Sequence, residues 1–230
     1  MADKEQLEFF GAIGASLSHE FNNVMAIISE ASGLVEDLMF LHGKGQDITP
    51  ERFELALQRI NAQVLRGKDF AKQLNGFSHS IEKKDATMDA REVIESVEQL
   101  CRRFARLNEV EVVLDLPADE IRITCDRFPL MHFFFRVFIL ALNSSESGTV
   151  IVAHLREAEH GFDLELLGST PIQEIAEGLP DKRTSISELS EALGGNADIT
   201  LKEGSKLRIF VRLPLLLTRA PKHSLEGAGR

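Results

Sequence analysis

The chain has 230 residues, which is long enough for one large or two small domains with a buried core. Hydrophobic residues make up 43% of it and charged residues 27%, as in ordinary globular proteins. The formal net charge of −10 argues against a general nucleic-acid or anionic-membrane binder, because such partners favour basic surfaces. Cys101 and Cys125 have neither a metal-ligand spacing nor a disulfide pattern, and the N-terminus lacks the apolar core of a signal peptide. We therefore expect a cytoplasmic protein with buried, reduced cysteines.

The most apolar segment, residues 128–142, does not have the properties of a membrane span. It is interrupted by His132 and Arg136, and it is too short to cross a bilayer. We predict no membrane-spanning helix here and a buried helix instead.

The N-terminal third of the chain has the pattern of two long helices. Residues 5–42 contain no proline and carry apolar residues at alternating steps of four and three, which predicts a helix packed along another helix. This α1 seam consists of Phe10, Gly14, Leu17, Phe21, Val24, Ile28, Ala31, Val35 and Leu38. After a glycine-containing loop, Thr49 as N-cap and Pro50 at the first helical position predict a second helix. Its α2 seam consists of Phe53, Leu57, Ile60, Val64, Gly67, Ala71 and Leu74. An antiparallel hairpin covers only part of this surface, so we predict a homodimeric four-helix bundle.

His19 lies in the first of these helices and is predicted to point outward. At about 100° per residue it lies roughly 160° away from the α1 seam. The same outward face is predicted to hold Asn23, and with it Ser16, Asn22, Ala12, Ala15 and Ala26. A neutral imidazole has one nitrogen lone pair free for attack, and the adjacent Glu20 is placed to accept the proton of the other nitrogen. The alternative interpretation is an ordinary solvated helix face.

The stretch GASLSHEFNNVMAII resembles the phospho-acceptor box of sensor histidine kinases in its H-E-x-x-N form. The resemblance covers roughly residues 10–217, because the elements that follow the hairpin come in the family's order. They are a helix at 87–107, strands at 108–117 and 121–126, a buried helix at 127–142, strands at 149–155 and 162–168, and a closing helix, glycine pair and β-hairpin within 191–215.

The resemblance implies an α+β fold in which the helical hairpin is followed by a degenerate α/β sandwich of the histidine-kinase ATPase type. The implied domains are a dimerisation and histidine phosphotransfer domain at 1–82, the ATPase-like sandwich at 83–217 and a flexible tail at 218–230. It also implies that His19 is the phospho-acceptor, Glu20 its acid/base partner and Asn23 the residue that positions a water. The implied partner is the receiver domain of a response regulator.

The second domain departs from the family at the three places that bind nucleotide. When the buried helix is aligned with the family at Asp126 and Leu130, Arg136 and Leu140 occupy the two positions of the family's asparagine pair. A leucine side chain offers no oxygen to Mg²⁺. The family's D-x-G-x-G motif is replaced by GSTPIQE at 168–174, and the place of its glycine-rich lid is taken by LPDKRTSISEL at 179–189. Asn143, Ser144 and Ser145 lie near this position, so a shifted register of the helix would restore one asparagine. It would restore neither the D-x-G-x-G motif nor the glycine-rich lid. We expect neither ATP nor Mg²⁺ to bind.

Three functions are compatible with these observations. The first is a histidine phosphotransferase that passes phosphate between receiver aspartates through His19. The second is a pseudokinase that acts as a receiver-binding or phosphatase module and in which Asn23 matters more than His19. The third is an ATP-dependent kinase with an aberrant nucleotide site. The remaining histidines show no metal-ligand spacing, so no metal site is predicted.

Overall fold

The structure, a computed structural model, describes residues 2–82, 86–171, 179–202 and 206–216. The chain divides into two compact units, Met1–His79 and Ser80–Arg230. The predicted flexible tail at 218–230 lies outside the described residues. Among the helices that the structure describes, none is long and apolar enough to span a bilayer.

The first unit is a hairpin of two helices, α1 (Ala2–Gly43) and α2 (Pro50–Glu82). Helix α2 begins at Pro50, directly after the loop, as predicted. At its start a backbone hydrogen bond at Glu51, and then one with the Thr49 side chain, lower the pKa of the Glu51 carboxyl. The loop turns back through Gly45 at φ +85°, a conformation that residues with a side chain rarely adopt.

The inner face of the hairpin agrees only partly with the predicted α1 seam. Leu17, Val24, Ala31 and Leu38 are buried, but so are Phe9 and Ile13 from the neighbouring positions. Two predicted seam residues, Phe10 and Phe21, are 42% and 45% exposed. The spacing of the apolar residues correctly gives the helical period of the α1 seam. The surface that contacts α2, however, is rotated around the helix towards Phe9 and Ile13, at one edge of the seam. The apolar surface left uncovered lies on the other edge.

The second unit is an α/β sandwich. Its elements are β1 (Ala86–Asp89), α3 (Ala90–Leu107), β2 (Glu111–Asp115), β3 (Arg122–Cys125), α4 (Arg127–Asn143), β4 (Val150–Ala158), β5 (Gly161–Pro171), α5 (Leu179–Ala192), β6 (Asn196–Lys202) and β7 (Lys206–Pro214). The main sheet has the order β2-β4-β5-β7-β6, with β2 parallel to β4 and the other pairs antiparallel. Strands β1 and β3 form a separate antiparallel pair. The predicted fold class, a helical hairpin followed by an α/β sandwich, is confirmed.

The core of the sandwich lies between the sheet and its helices, and α4 contacts both α3 and α5. Phe133, Phe134 and Phe138 of α4 are at most 1% exposed, which confirms the predicted buried helix. Cys101 and Cys125 are buried thiols and are not joined in a disulfide, as predicted. Burial raises the pKa of the Cys101 thiol.

The short strand β1 was not predicted, and the helix expected from residue 87 begins at Ala90. Residues 86–89 are extended because they pair with β3, a contact that the local sequence does not specify. Asp89 then caps α3: its carboxylate accepts hydrogen bonds from the backbone N–H of Arg91 at 3.0 Å and of Ile121 at 3.2 Å. The Arg91 side chain donates to the same carboxylate at 2.7 Å.

We expect Asp89→Ala to destabilise the sandwich by about 2 kcal/mol, because a cap and a charged contact are lost together. Burial alone would raise the pKa of Asp89, but the hydrogen bonds from Arg91 and Ile121 outweigh it and the pKa is lowered. Because folding lowers this pKa, the contribution of Asp89 is present above the unfolded pKa of about 3.9 and is lost progressively as the pH falls from there through the lower folded pKa.

Urea unfolding followed by circular dichroism tests this, since the chain has no tryptophan or tyrosine to report by fluorescence. Asp119→Ala, in an exposed bend between β2 and β3, is the matched control and should change stability by less than about 0.5 kcal/mol. Equal losses in the two variants, or a loss for Asp89→Ala that does not shrink as the pH is lowered below about 4, would contradict the assignment.

Candidate functional site

His19 is exposed on α1, as predicted from the helical period. Most of the residues expected on its face are exposed as well, namely Ala12, Ala15, Asn22, Asn23 and Ala26. Ser16 is the exception: it was predicted to point outward, but it is 7% exposed. The prediction was wrong because the contact with α2 covers the edge of the helix on which Ser16 lies. The result is an open patch of small and polar side chains around the imidazole, which we call the His19 face.

The imidazole contacts Asn23, which follows it by one helical turn. The His19 Nδ1 and Asn23 Nδ2 atoms are 3.4 Å apart. In this orientation the amide N–H donates to Nδ1, so the proton of a neutral imidazole lies on Nε2. If the amide turns over, its oxygen accepts from Nδ1–H and the Nε2 lone pair becomes free for attack. The contact therefore bears on which nitrogen is the nucleophile.

Glu20 occupies a different environment from the exposed histidine that precedes it. It is 6% exposed, and its Oε2 accepts a hydrogen bond from Nη2 of Arg66 on α2 at 2.8 Å. The Arg66 guanidinium also lies over the ring of Phe70, 5.6 Å from its centroid. Consecutive helical residues point about 100° apart, so one can face solvent while the next faces the partner helix. Arg66 was not predicted as a site residue, although its position directly before Gly67 of the α2 seam indicates that it borders the interface between the helices.

The positions that the resemblance aligns with the family's nucleotide site carry side chains of a different kind in this chain. Leu140 is 3% exposed and packed in the core, and it has no oxygen to offer. Asn143, which the shifted register would use, is the exposed last residue of α4. The Ser145 hydroxyl beside it donates a hydrogen bond to the Ala141 backbone carbonyl at 2.8 Å. Gly168 lies inside β5 rather than in a loop.

The place of the glycine-rich lid also differs from a phosphate-binding loop. Residues 179–189 belong to α5, so their backbone groups lie within a helix rather than in an open loop. The rest of that region, at 172–178, lies outside the described residues. Over the parts of the chain that are described, no cluster of three histidine, cysteine or acidic side chains is arranged to hold a metal ion.

A polar cluster on the sheet was not predicted. The Asp115 carboxylate lies 2.7 Å from Nδ1 of His154 and also pairs with Arg156. The hydrogen bond from Arg156, and then the one from His154, lower the pKa of Asp115. Asp115 and His154 are paired in the β2–β4 register, and Arg212 forms a similar cross-strand pair with Asp163. We interpret these contacts as structural, since each joins neighbouring strands.

No family model and no curated protein matches the chain. Solved structures of histidine kinases are similar to it at low identity. Histidine kinase AdeS of Acinetobacter baumannii is 14% identical with a TM-score of 0.47, over 86% of this chain and 98% of that one. A histidine kinase from Burkholderia phymatum STM815 is 14% identical with a TM-score of 0.48, over 88% of this chain and 97% of that one.

A third similar structure is histidine kinase ThkA in complex with response regulator protein TrrA. It is 17% identical with a TM-score of 0.46, over 92% of this chain and 64% of that one. The chain is similar in structure to histidine kinases.

Proposed function

We propose that this protein is a histidine phosphotransferase that takes a phosphoryl group from the aspartate of one receiver domain onto His19 and passes it to another, without ATP. The observation that carries the proposal is the exposed imidazole on a face of small and polar side chains. Alanines on this face let a second protein approach closely, and the histidine is the nucleophile that they surround. The resemblance of the sequence around it to a phospho-acceptor box supports the same role.

The transfer is balanced without a further reactant. A nitrogen lone pair of His19 attacks phosphorus, the bond from phosphorus to the aspartyl oxygen breaks, and the aspartate leaves as a carboxylate. The imidazole then carries a positive charge, which the Glu20 carboxylate stabilises when it accepts the proton of the other ring nitrogen. The second step is the reverse reaction on another receiver. Asn23 positions a water when phosphate is lost by hydrolysis instead.

The proposed partners are response-regulator receiver domains, and with them we propose a cytoplasmic location. Their use by this chain is inferred from the resemblance and from the open His19 face. ThkA, one of the similar structures, is in complex with a response regulator protein. Two outcomes separate the candidate functions when the chain is mixed with a phosphorylated receiver: label retained on the chain supports a phosphotransferase, whereas receiver phosphate lost without label indicates a phosphatase module.

We also propose that the chain is a homodimer through its hairpin. The hairpin alone leaves many large apolar side chains exposed, namely Leu7, Phe10, Phe21, Met25, Leu34, Met39, Phe40, Leu55, Leu57, Val64, Leu65 and Leu74. Several of them belong to the two predicted seams. An apolar surface this extended marks an interface with another protein chain.

We expect Phe21→Lys to shift the protein from dimer to monomer, because a charge would be placed in the uncovered part of the α1 seam. Sedimentation velocity at micromolar concentration measures the change. Leu107→Lys makes the same replacement at an exposed leucine of α3, outside the hairpin, and should leave the dimer intact. A wild-type protein that sediments as a monomer would contradict the proposal.

A further inference from the structure

The ion pair between Glu20 and Arg66 connects the residue next to the proposed nucleophile with the second helix of the hairpin. Nη2 of Arg66 donates to Oε2 of Glu20 at 2.8 Å, and the Glu20 side chain is 9% exposed. A carboxylate this well covered needs a cation or hydrogen-bond donors to stay charged. Arg66 supplies both, and its own side chain remains 38% exposed.

The other contact of the site fits the same state. Nδ1 of His19 lies 3.4 Å from the amide nitrogen of Asn23, the arrangement in which Nδ1 accepts and Nε2 carries the proton. An imidazole held in this way has no lone pair free at Nε2. For Nε2 to attack, the proton has to move to Nδ1, where an acceptor must be waiting for it. Glu20 is the adjacent carboxylate, and Arg66 holds it towards α2.

We infer that Arg66 is a positioning residue that controls His19 through Glu20: it holds the carboxylate in a resting state, and its release lets Glu20 accept the Nδ1 proton and free Nε2 for attack. The inference rests on the proposed function for its consequence, phosphoryl uptake, but its first effect is on the imidazole itself. Phe70 contributes by backing the guanidinium, since its ring centroid lies 5.6 Å away. Arg66 touches no reacting atom in this scheme.

The test is the position of the imidazole proton, which does not depend on phosphate transfer. Nitrogen-15 NMR of the full chain labelled at histidine distinguishes Nε2–H from Nδ1–H, and loss of a signal in His19→Ala assigns the resonances. We expect mainly the Nε2–H tautomer in the wild type and a shift towards Nδ1–H in Arg66→Gln, where the Nδ1–H of His19 replaces the guanidinium as the hydrogen-bond donor that keeps Glu20 charged. Arg59→Gln, the same replacement at an exposed position of α2, is the matched control and should give the wild-type spectrum.

The double variant Arg66→Gln/Glu20→Gln shows whether Glu20 mediates the effect. We expect it to abolish the shift, because no carboxylate remains to accept the proton. An unchanged tautomer in Arg66→Gln, or a shift that persists in the double variant, would overturn the inference. If Arg66→Gln does not fold, Phe70→Leu keeps every charge and removes only the backing ring. It should then give a smaller shift in the same direction, and no shift in that variant would overturn the inference as well.

A second measurement connects the tautomer with function. At a saturating concentration of phosphorylated receiver, Arg66→Gln should take up label roughly three- to tenfold faster than the wild type, because the change alters only the population of the competent state. Arg66→Lys should restore the wild-type rate, since an ammonium can hold Glu20 in the same way. If the tautomer shifts but no variant takes up label, the proposed function is overturned, while the inference that Arg66 acts on His19 through Glu20 still holds. Slower uptake of label in Arg66→Gln would overturn the inference that Arg66 restrains His19.

Discussion

His19→Ala should abolish the transfer of label from a phosphorylated receiver to this chain. The replacement removes the only ring nitrogens of the His19 face, and alanine has no atom that can form a bond to phosphorus. The dimer should persist, because the His19 side chain lies on the face of small and polar residues and not among the uncovered apolar side chains proposed to form the dimer interface. Radiolabel on the purified chain after mixing with a phosphorylated receiver, together with sedimentation velocity, measures both expectations.

His42→Ala is the matched control, since His42 is an exposed histidine in the last turn of the same helix. It should take up label like the wild type. Label on His19→Ala would place the acceptor elsewhere in the chain. Two further variants refine the roles: Glu20→Gln should slow the uptake, because a neutral amide stabilises the charged imidazole less well, and Asn23→Ala should spare uptake but weaken loss of receiver phosphate to water.

Mg·ATP should not bind to the second unit with useful affinity. Leu140 offers Mg²⁺ no oxygen, Gly168 belongs to a strand, and residues 179–189 are helical where the family has a glycine-rich lid. Each missing polar contact removes about 1–3 kcal/mol, and tenfold in affinity corresponds to about 1.4 kcal/mol. We expect a dissociation constant above about 1 mM, measured by isothermal titration calorimetry.

A control in the same experiment is phosphoryl uptake from a receiver, which should proceed at the same rate with and without added Mg·ATP. A dissociation constant in the micromolar range would contradict the prediction and favour a kinase with an unusual nucleotide site. Label on His19 from ATP in the absence of any receiver would contradict the proposed function as well.

The sequence determined the features that repeat along the chain or depend on local chemistry. The heptad-like spacing of apolar residues gave the two helices of the hairpin, because burying one stripe fixes the period of a helix. Pro50 marked the start of α2, since proline fits the first helical position. The same period placed His19 on the outside of α1, and the run of apolar residues at 128–142 identified α4 as the buried helix.

Only the tertiary structure decided which edge of a stripe is covered and which side chains meet across it. The contact of α1 with α2 buries Ser16 and Glu20 and leaves Phe10 and Phe21 exposed, because the rotation of two packed helices depends on both surfaces together. The pairing of β1 with β3 turns residues 86–89 into a strand, and the partner that holds Glu20 lies 46 positions further along the chain. A local pattern cannot contain such contacts, since they exist only once distant segments have packed against each other.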